Sequence, residues 1–405
     1  NLSLEGKRKE IQKSKYGVSE NRSKLLPQIN AIAGYNNNFD PPVSVTDGSS
    51  YGVPYNITKT LQHSANAGLE MQMPLFNQTL YTSMSIAKVM EEISRLSYGK
   101  AREDVILQIS KMYYLGQVTA EQIMLIKANI IRLEELRDIT QAFFDNGMSM
   151  EVDLKRVNIN LENLKVQYDN AQAMMKQQLN MLKYIMDYPA EKEIALTPVN
   201  TDSITTVALT GLSENIYELQ LSQSQVQLAE RQKKIITNGY IPSLSLTGSW
   251  RYAAYTDKGY HWFHSGPSNQ WFRSYGVGLT LRIPIFDGLD KTYKIKKAMI
   301  DIENKRLAWE DARKNLQTQY LNAVNDLMNN QRNFKKQKDN YLLAEDVYAV
   351  TSDRYREGIA SMTEVLQDEM QMSEAQNNYI SAHYNYRVTN LMLLKLTGQI
   401  ESLVK

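Results

Sequence analysis

There is no cysteine in the chain, which excludes disulfide frameworks, thiol nucleophiles and cysteine-based zinc sites. Charge of one sign is missing too. Lys and Arg number 46 against 44 Asp and Glu, a formal net charge of +2, so no basic field is present to recruit nucleic acid. No run of about 18 apolar residues occurs, so no transmembrane helix is expected. Nor does the chain open on a charged-then-apolar leader; Asn1 already sits in a helical pattern, which implies that the numbered chain starts behind a removed leader. Histidines are four, His63, His261, His264 and His383. The pair His261-x-x-His264 falls in an expected surface loop with no carboxylate nearby in sequence, so no metal is expected there. The 18 Met residues form no cluster with ligand spacing and read as core filler. No Ser/His/Asp grouping has a strand–turn–helix context and no glycine-rich phosphate loop appears. Neither an enzyme nor a cofactor is expected.

What the chain has in excess is tyrosine, 25 against 8 Phe, a ring with a polar tip that suits surfaces half in water and half in something apolar. It also repeats itself. Pro27 recurs as Pro242, and Ala67-Gly68-Leu69 with Met73-Pro74-Leu75-Phe76 recurs 210 residues on as Val277-Gly278-Leu279 with Ile283-Pro284-Ile285-Phe286. Gly147 with Gly358, Tyr168 with Tyr379, Ala171 with Ala382 and Met181-Leu182 with Met392-Leu393 are all offset by 211. A constant offset across such different segments marks a duplicated unit.

Each copy reads as helix, strand, strand, long helix, helix, so the fold class is α+β and dominated by long α-helices. Residues 2–26 form a polar helix that stops at Pro27; its mate, 213–238, is expected to be capped by Ser213. From 77 to 145 the sequence holds no proline, and 289–356 matches it. Such helices would reach roughly 100 Å at 1.5 Å per residue. Asn146-Gly147 and Glu357-Gly358 turn the chain, and helices return over 149–187 and 361–396. The tips are 145–149 and 356–360, where a glycine can take a positive φ. The stripe Leu154, Val157, Leu161, Leu164 and Tyr168 wants a neighbouring helix, although a strict heptad does not persist. The basic run from Arg332 to Lys338 is a solvated helix face. Strands with their loops occupy 27–76 and 241–286; helices occupy 1–26, 77–187, 213–240 and 287–398. Residues 188–212 and 399–405 make a connector.

The strands alternate strictly. In 275–285, Tyr275, Val277, Leu279, Leu281, Ile283 and Ile285 face one way. In 66–75 the set is Ala67, Leu69, Met71, Met73 and Leu75; in 242–252 it is Leu244, Leu246, Trp250 and Tyr252; and 27–36 offers Ile29, Ala31, Ala33 and Tyr35. Period-two alternation describes a sheet with one apolar and one wet side, and about ten residues span a bilayer at a steep tilt. The links 37–64 and 254–273 read as long loops. Aromatics crowd the second, including Tyr260, Trp262 and Phe263, with Trp250, Tyr252, Trp271 and Tyr275 at the strand ends where a membrane interface would sit. Four strands are too few to close a barrel, and an open edge in lipid leaves backbone groups unpaired. Several chains must then share one barrel.

With the phrase Tyr355-Arg356-Glu357-Gly358-Ile359-Ala360-Ser361-Met362-Thr363-Glu364-Val365-Leu366-Gln367, the shorter Leu26-Pro27-Gln28-Ile29 and Ile283-Pro284-Ile285-Phe286-Asp287-Gly288, and the twice-repeated element order, the chain resembles the TolC-like outer-membrane efflux proteins along essentially its whole length. The resemblance implies a homotrimer with a shared twelve-stranded β-barrel in outer-membrane lipid, standing on a long α-helical tunnel in the periplasm. It implies an exit duct of a tripartite efflux pump that docks to a periplasmic adaptor and an inner-membrane transporter. By position from the tip glycines, Asp153 and Tyr355 match a tip-locking hydrogen-bond pair. Glu364 falls where relatives carry an acidic ring, and Gln367 with Asp368 stands where a second acid is replaced. Gly147 and Gly358 mark the tips and adaptor docking. Three Glu364 carboxylates on an axis would raise one another's pKa. Other readings are a duct for type I polypeptide secretion and, in a different class, a soluble coiled-coil scaffold or adaptor of the periplasm.

Overall fold

The computed structural model describes residues 1–47, 49–198, 211–256 and 271–404. His261, His264, Tyr260, Trp262, Phe263 and residues 199–210 of the expected connector lie outside the described residues. In chain order the elements are α1 (Leu2–Ser23), β1 (Gln28–Asn37), β2 (Val43–Asp47), β3 (Tyr55–Lys59), β4 (His63–Phe76), α2 (Gln78–Asp145), α3 (Glu151–Met186), α4 (Tyr217–Asn238), β5 (Ser243–Thr256), β6 (Trp271–Arg282), α5 (Asp290–Arg356) and α6 (Met362–Leu396). Short 3-10 helices add Ser49–Tyr51 and Ile400–Val404. By contacts the chain divides into two units, one of Ile11–Ile93 and Ser224–Arg306, the other of Asn1–Glu10, Ser94–Gln223 and Leu307–Lys405. This division cuts through α1, α2, α4 and α5.

The first unit holds a four-stranded antiparallel sheet in the order β1-β4-β5-β6. Its register aligns Ile29, Met71, Gly248 and Val277 across the strands, then Ala31, Leu69, Trp250 and Tyr275. The intervening row is Asn30, Glu70, Ser249 and Gly276, and the one before it Gln28, Gln72, Thr247 and Gly278. Directly opposed residues share a face, so the four alternating apolar sets coincide on one side. The other side is polar and carries the Glu70–Arg251 ion pair. Among the described residues β1 and β6 are edges with one neighbour each. On the apolar side Val277 is 79 % exposed and Leu279 67 %. β6 ends at Arg282, short of the expected Ile285, whereas its mate β4 runs on through Pro74 to Phe76. A second hairpin, β2–β3, occupies part of the link expected to be loop. Val43, Val45 and Ile57 alternate there with Ser44, Thr46, Asn56 and Thr58, a β-forming pattern hidden among Gly, Pro and Asn.

Helix starts follow side-chain chemistry. Asn77 Oδ1 accepts from the backbone N–H groups of Thr79 and Leu80 at the head of α2, and Asp287, 210 residues on, accepts from the Lys291 N–H and ammonium near the head of α5. The repeat offset changes from 210 to 211 beyond this point, and here Gly288 and Leu289 both take positive φ. Ser213 does not cap α4. The helix begins at Tyr217, while Ser213 Oγ accepts from the Asn215 N–H in a local turn and the Ser213 N–H bonds the Leu396 carbonyl. α1 ends at Ser23, three residues before the expected Leu26.

In the second unit, long helices surround a core of Leu133 and Leu136 from α2, Val157, Leu161 and Leu164 from α3, Tyr348 and Tyr355 from α5, and Met362, Val365, Leu366 and Met372 from α6. The three α3 residues belong to the stripe read from sequence. Gly99, inside α2, is required by packing: a Cβ there would meet the Tyr217 ring at 2.4 Å. Other apolar side chains remain exposed at intervals of seven or fourteen: Val152, Ile159 and Val166 on α3, and Leu307, Leu321, Met328 and Leu342 on α5.

Candidate functional site

The two tips are built alike. α2 closes with the Gly147 N–H on the Phe144 carbonyl at 2.9 Å and the Met148 N–H on Phe143 at 2.8 Å. α5 closes with Gly358 on Tyr355 at 2.9 Å and Ile359 on Arg354 at 2.8 Å. Each is the glycine-ended helix stop in which two orphan carbonyls find donors. The φ values are 69° and 74°, a region costly for residues with a Cβ. Glycine at both positions therefore follows from the turn itself.

Beyond the turns the tips differ. Met150, before α3, gives no side-chain cap. Ser361 accepts from the Glu364 N–H, and the Glu364 carboxylate accepts from the Ser361 N–H at 2.7 Å and its hydroxyl at 3.0 Å, a complete capping box. These bonds, from the Ser361 backbone first and its hydroxyl second, hold the exposed Glu364 carboxyl below its ordinary range. Within one chain the shift is thus opposite in sign to the mutual raising expected for a ring. Gln367 is exposed, Asp368 half-buried, and the next acid, Glu369, is buried.

Asp153 and Tyr355 do not bond each other. The Tyr355 hydroxyl donates to Thr140 Oγ1 at 3.3 Å, with the ring 5.6 Å from Phe143, so α5 is tied to α2. The Asp153 carboxylate accepts from Arg156, three residues along α3, at 3.2 Å. The nearby cation outcompetes a phenol for the carboxylate because a charged donor makes the stronger bond. Arg156 also reaches Thr363 on α6 at 3.4 Å, and Arg356 reaches Glu135 on α2 at 3.5 Å. The expected lock residues thus sit at the tip in separate contacts, and Thr140, Glu135, Arg156 and Thr363 join them. No sequence signal marked those four; the capping box beside them did have one, Ser361-x-x-Glu364. Between the tips lies a cleft of about 680 Å³ lined by Met148, Met150, Asp153, Arg356, Glu357 and Ala360 among others.

The four expected interface aromatics share the apolar side of the sheet toward one end. Trp250 opposes Tyr275, and Tyr252 opposes Arg273. Trp250 and Tyr252 meet edge-on at 5.4 Å, and the Arg273 guanidinium lies 5.8 Å from the Tyr275 ring centre. No group of three or more His, Cys, Asp or Glu fit to hold a metal occurs among the described residues.

Comparisons with known proteins agree on one kind of molecule. The family model described as outer membrane efflux protein matches residues 1–186 and 208–399. The outer membrane protein TolC of Vibrio cholerae is 21 % identical over 399 residues, 95 % of this chain and 84 % of that protein. The toluene efflux pump outer membrane protein TtgC of Pseudomonas putida is 23 % identical over 379 residues, 88 % of this chain and 75 % of that protein. Among solved structures, a crystal structure of CusC superposes with a TM-score of 0.80 at 16 % identity, covering 98 % of this chain and 89 % of that one.

Proposed function

The chain belongs to the outer membrane efflux protein family, and from that premise we propose that it is the exit duct of an efflux pump, a homotrimer gated at its paired helix tips. It is an outer-membrane protein that extends into the periplasm. The observation that most supports the duct is the sheet: four strands with one continuous apolar face and, among the described residues, two unpaired edges, β1 and β6. Backbone groups left open in hydrocarbon cost several kcal/mol each by general estimate, about enough to exclude an open sheet. Three copies joining β6 to β1 give twelve strands, within the size range of membrane barrels. The polar side, with Glu70, Arg251, Thr247 and Ser249, then lines the lumen, and Trp250, Tyr252, Trp271 and Tyr275 meet the headgroups.

The exposed stripes of α3 and α5 fit the same assembly. Side chains repeating every seven residues want a helix alongside, and the α3 of one copy can meet the α5 of the next. At the tips, Tyr355–Thr140, Arg356–Glu135 and Arg156–Thr363 join the two hairpins and hold the duct shut. Glu364 and Asp368 supply an acidic rim that favours cations. The cleft containing Met148, Met150, Arg356 and Glu357 offers apolar and charged groups to a periplasmic adaptor, which couples the duct to an inner-membrane transporter.

Detergent-purified protein tests this. The expected result is a trimer on an unheated gel, a monomer after boiling, and small cation-selective steps in a planar bilayer. A monomer that stays soluble without detergent and gives no steps would overturn the duct.

A further inference from the structure

About eleven to eighteen residues back from the tip glycines lies a polar layer that the tip contacts do not use. Arg132 on α2 makes an ion pair with Glu345 on α5 at 3.2 Å and donates to Asn129. Asn129 in turn donates to Gln376 on α6 at 2.7 Å, with both side chains buried. Beside this set Glu369 on α6 is only 5 % exposed. Its Oε1 is buried without a hydrogen-bond partner, and so is the Arg132 Nε. An orphaned carboxyl oxygen and an orphaned cationic N–H in one interior are costly unless an alternative arrangement joins them. The two are close enough for the Arg132 charge to act on the Glu369 carboxyl, though burial outweighs it and raises that carboxyl above its ordinary range.

We infer that Arg132 is a two-position latch between α5 and α6, seated on Glu345 in this arrangement and offered a second seat at the buried Glu369. This deepens the proposed gate and rests on it. When the α5–α6 hairpin shifts against α2 and α3, Arg132 leaves a half-exposed carboxylate for a buried one, and the two orphaned groups satisfy each other. The facing groups are few. α2 brings Arg132 alone, and α5 brings Tyr348 and Glu345, with Arg356 acting on Tyr348; α3 contributes only the apolar Val157, Leu161 and Leu164 to this core. Burial and the Glu369 charge push the Tyr348 hydroxyl up, so it stays neutral. Raising the pH ionises Glu369 and draws Arg132 toward it; lowering the pH empties the second seat.

Two conservative variants separate a latch from a structural ion pair. Glu345→Gln weakens the first seat, and Glu369→Gln makes the second permanently neutral while suiting its buried surroundings. In planar bilayers the latch requires opposite effects on opening frequency, a rise for Glu345→Gln and a fall for Glu369→Gln, each about fivefold or more. Opening of the unaltered protein should also increase as the pH rises through the titration of the Glu369 carboxyl, displaced above its ordinary 4.5, and Glu369→Gln should abolish that increase. Shifts of the same sign, or a pH dependence that survives Glu369→Gln, overturn the latch. If the unaltered protein gives no steps, the duct reading itself fails. Hydrogen exchange in detergent then decides the latch: Glu345→Gln must loosen 340–350 while protecting 365–375, and equal loosening of both refutes it.

Discussion

At the tip single side chains choose partners by charge and reach. Asp153 is satisfied by Arg156 within its own helix, and Tyr355 by Thr140 across to α2. The two should therefore act independently: Asp153→Ala and Tyr355→Phe together are expected to change the melting free energy additively, within about 0.5 kcal/mol. Tyr355→Phe alone should cost about 1 kcal/mol for a buried hydroxyl bond. A thermal or denaturant double-mutant cycle checks both. Glu364 gives a sign to acid sensitivity. Its carboxyl is held below the ordinary 4.5 by the Ser361 N–H and hydroxyl, so the contribution of the box is present above that value and fades as pH falls through the lowered one. Glu364→Gln should flatten acid lability of the α6 start below pH 4.5, read by hydrogen exchange at 361–366, and lower protection there at neutral pH, where the ionised box otherwise contributes.

Among the elements, the tip turns carry the plainest energetic prediction. A Cβ at Gly147 or Gly358 would touch nothing within 4 Å, so alanine there is penalised by its positive φ alone, about 1–2 kcal/mol at each site. Melting of each single variant measures it, and equal losses are expected because the two turns share their hydrogen bonds. These elements were legible in sequence for stated reasons. Alternation in 66–75 and 275–285 has the period of a strand, the proline-free stretches could only be long helices, and the constant offset paired the tip glycines. β2–β3 was missed because its short alternating segments lie among turn residues. The Asp153 partner was missed because a carboxylate at a helix start is within reach of both a local arginine and a remote hydroxyl. Sequence spacing does not rank those two. Ser361-x-x-Glu364 was visible as a capping box, yet position relative to the tip drew attention to the ring instead. Nothing in sequence pointed to Thr140, because which residue of a long helix faces a neighbour depends on how the helices pack.

For the whole molecule, the two faces of the sheet divide the tolerable substitutions. Val277→Arg puts a charge on the apolar side, where the cost in a barrel is about 2–4 kcal/mol per copy near the bilayer midplane. Thr247→Arg, one row away on the polar side, should be accepted. Yield of the heat-labile trimer from membranes checks the contrast, and equal yields would count against a lipid-facing apolar side. The open edges β1 and β6 also bear on kinetics. In the proposed trimer a lone chain cannot join its own two edges, because four strands are too few to close a barrel, so completion of its sheet cannot be a first-order event. Its rate must climb steeply with the number of copies per unit area of membrane, and dilute chains should linger as half-finished, protease-sensitive species however sound each one is.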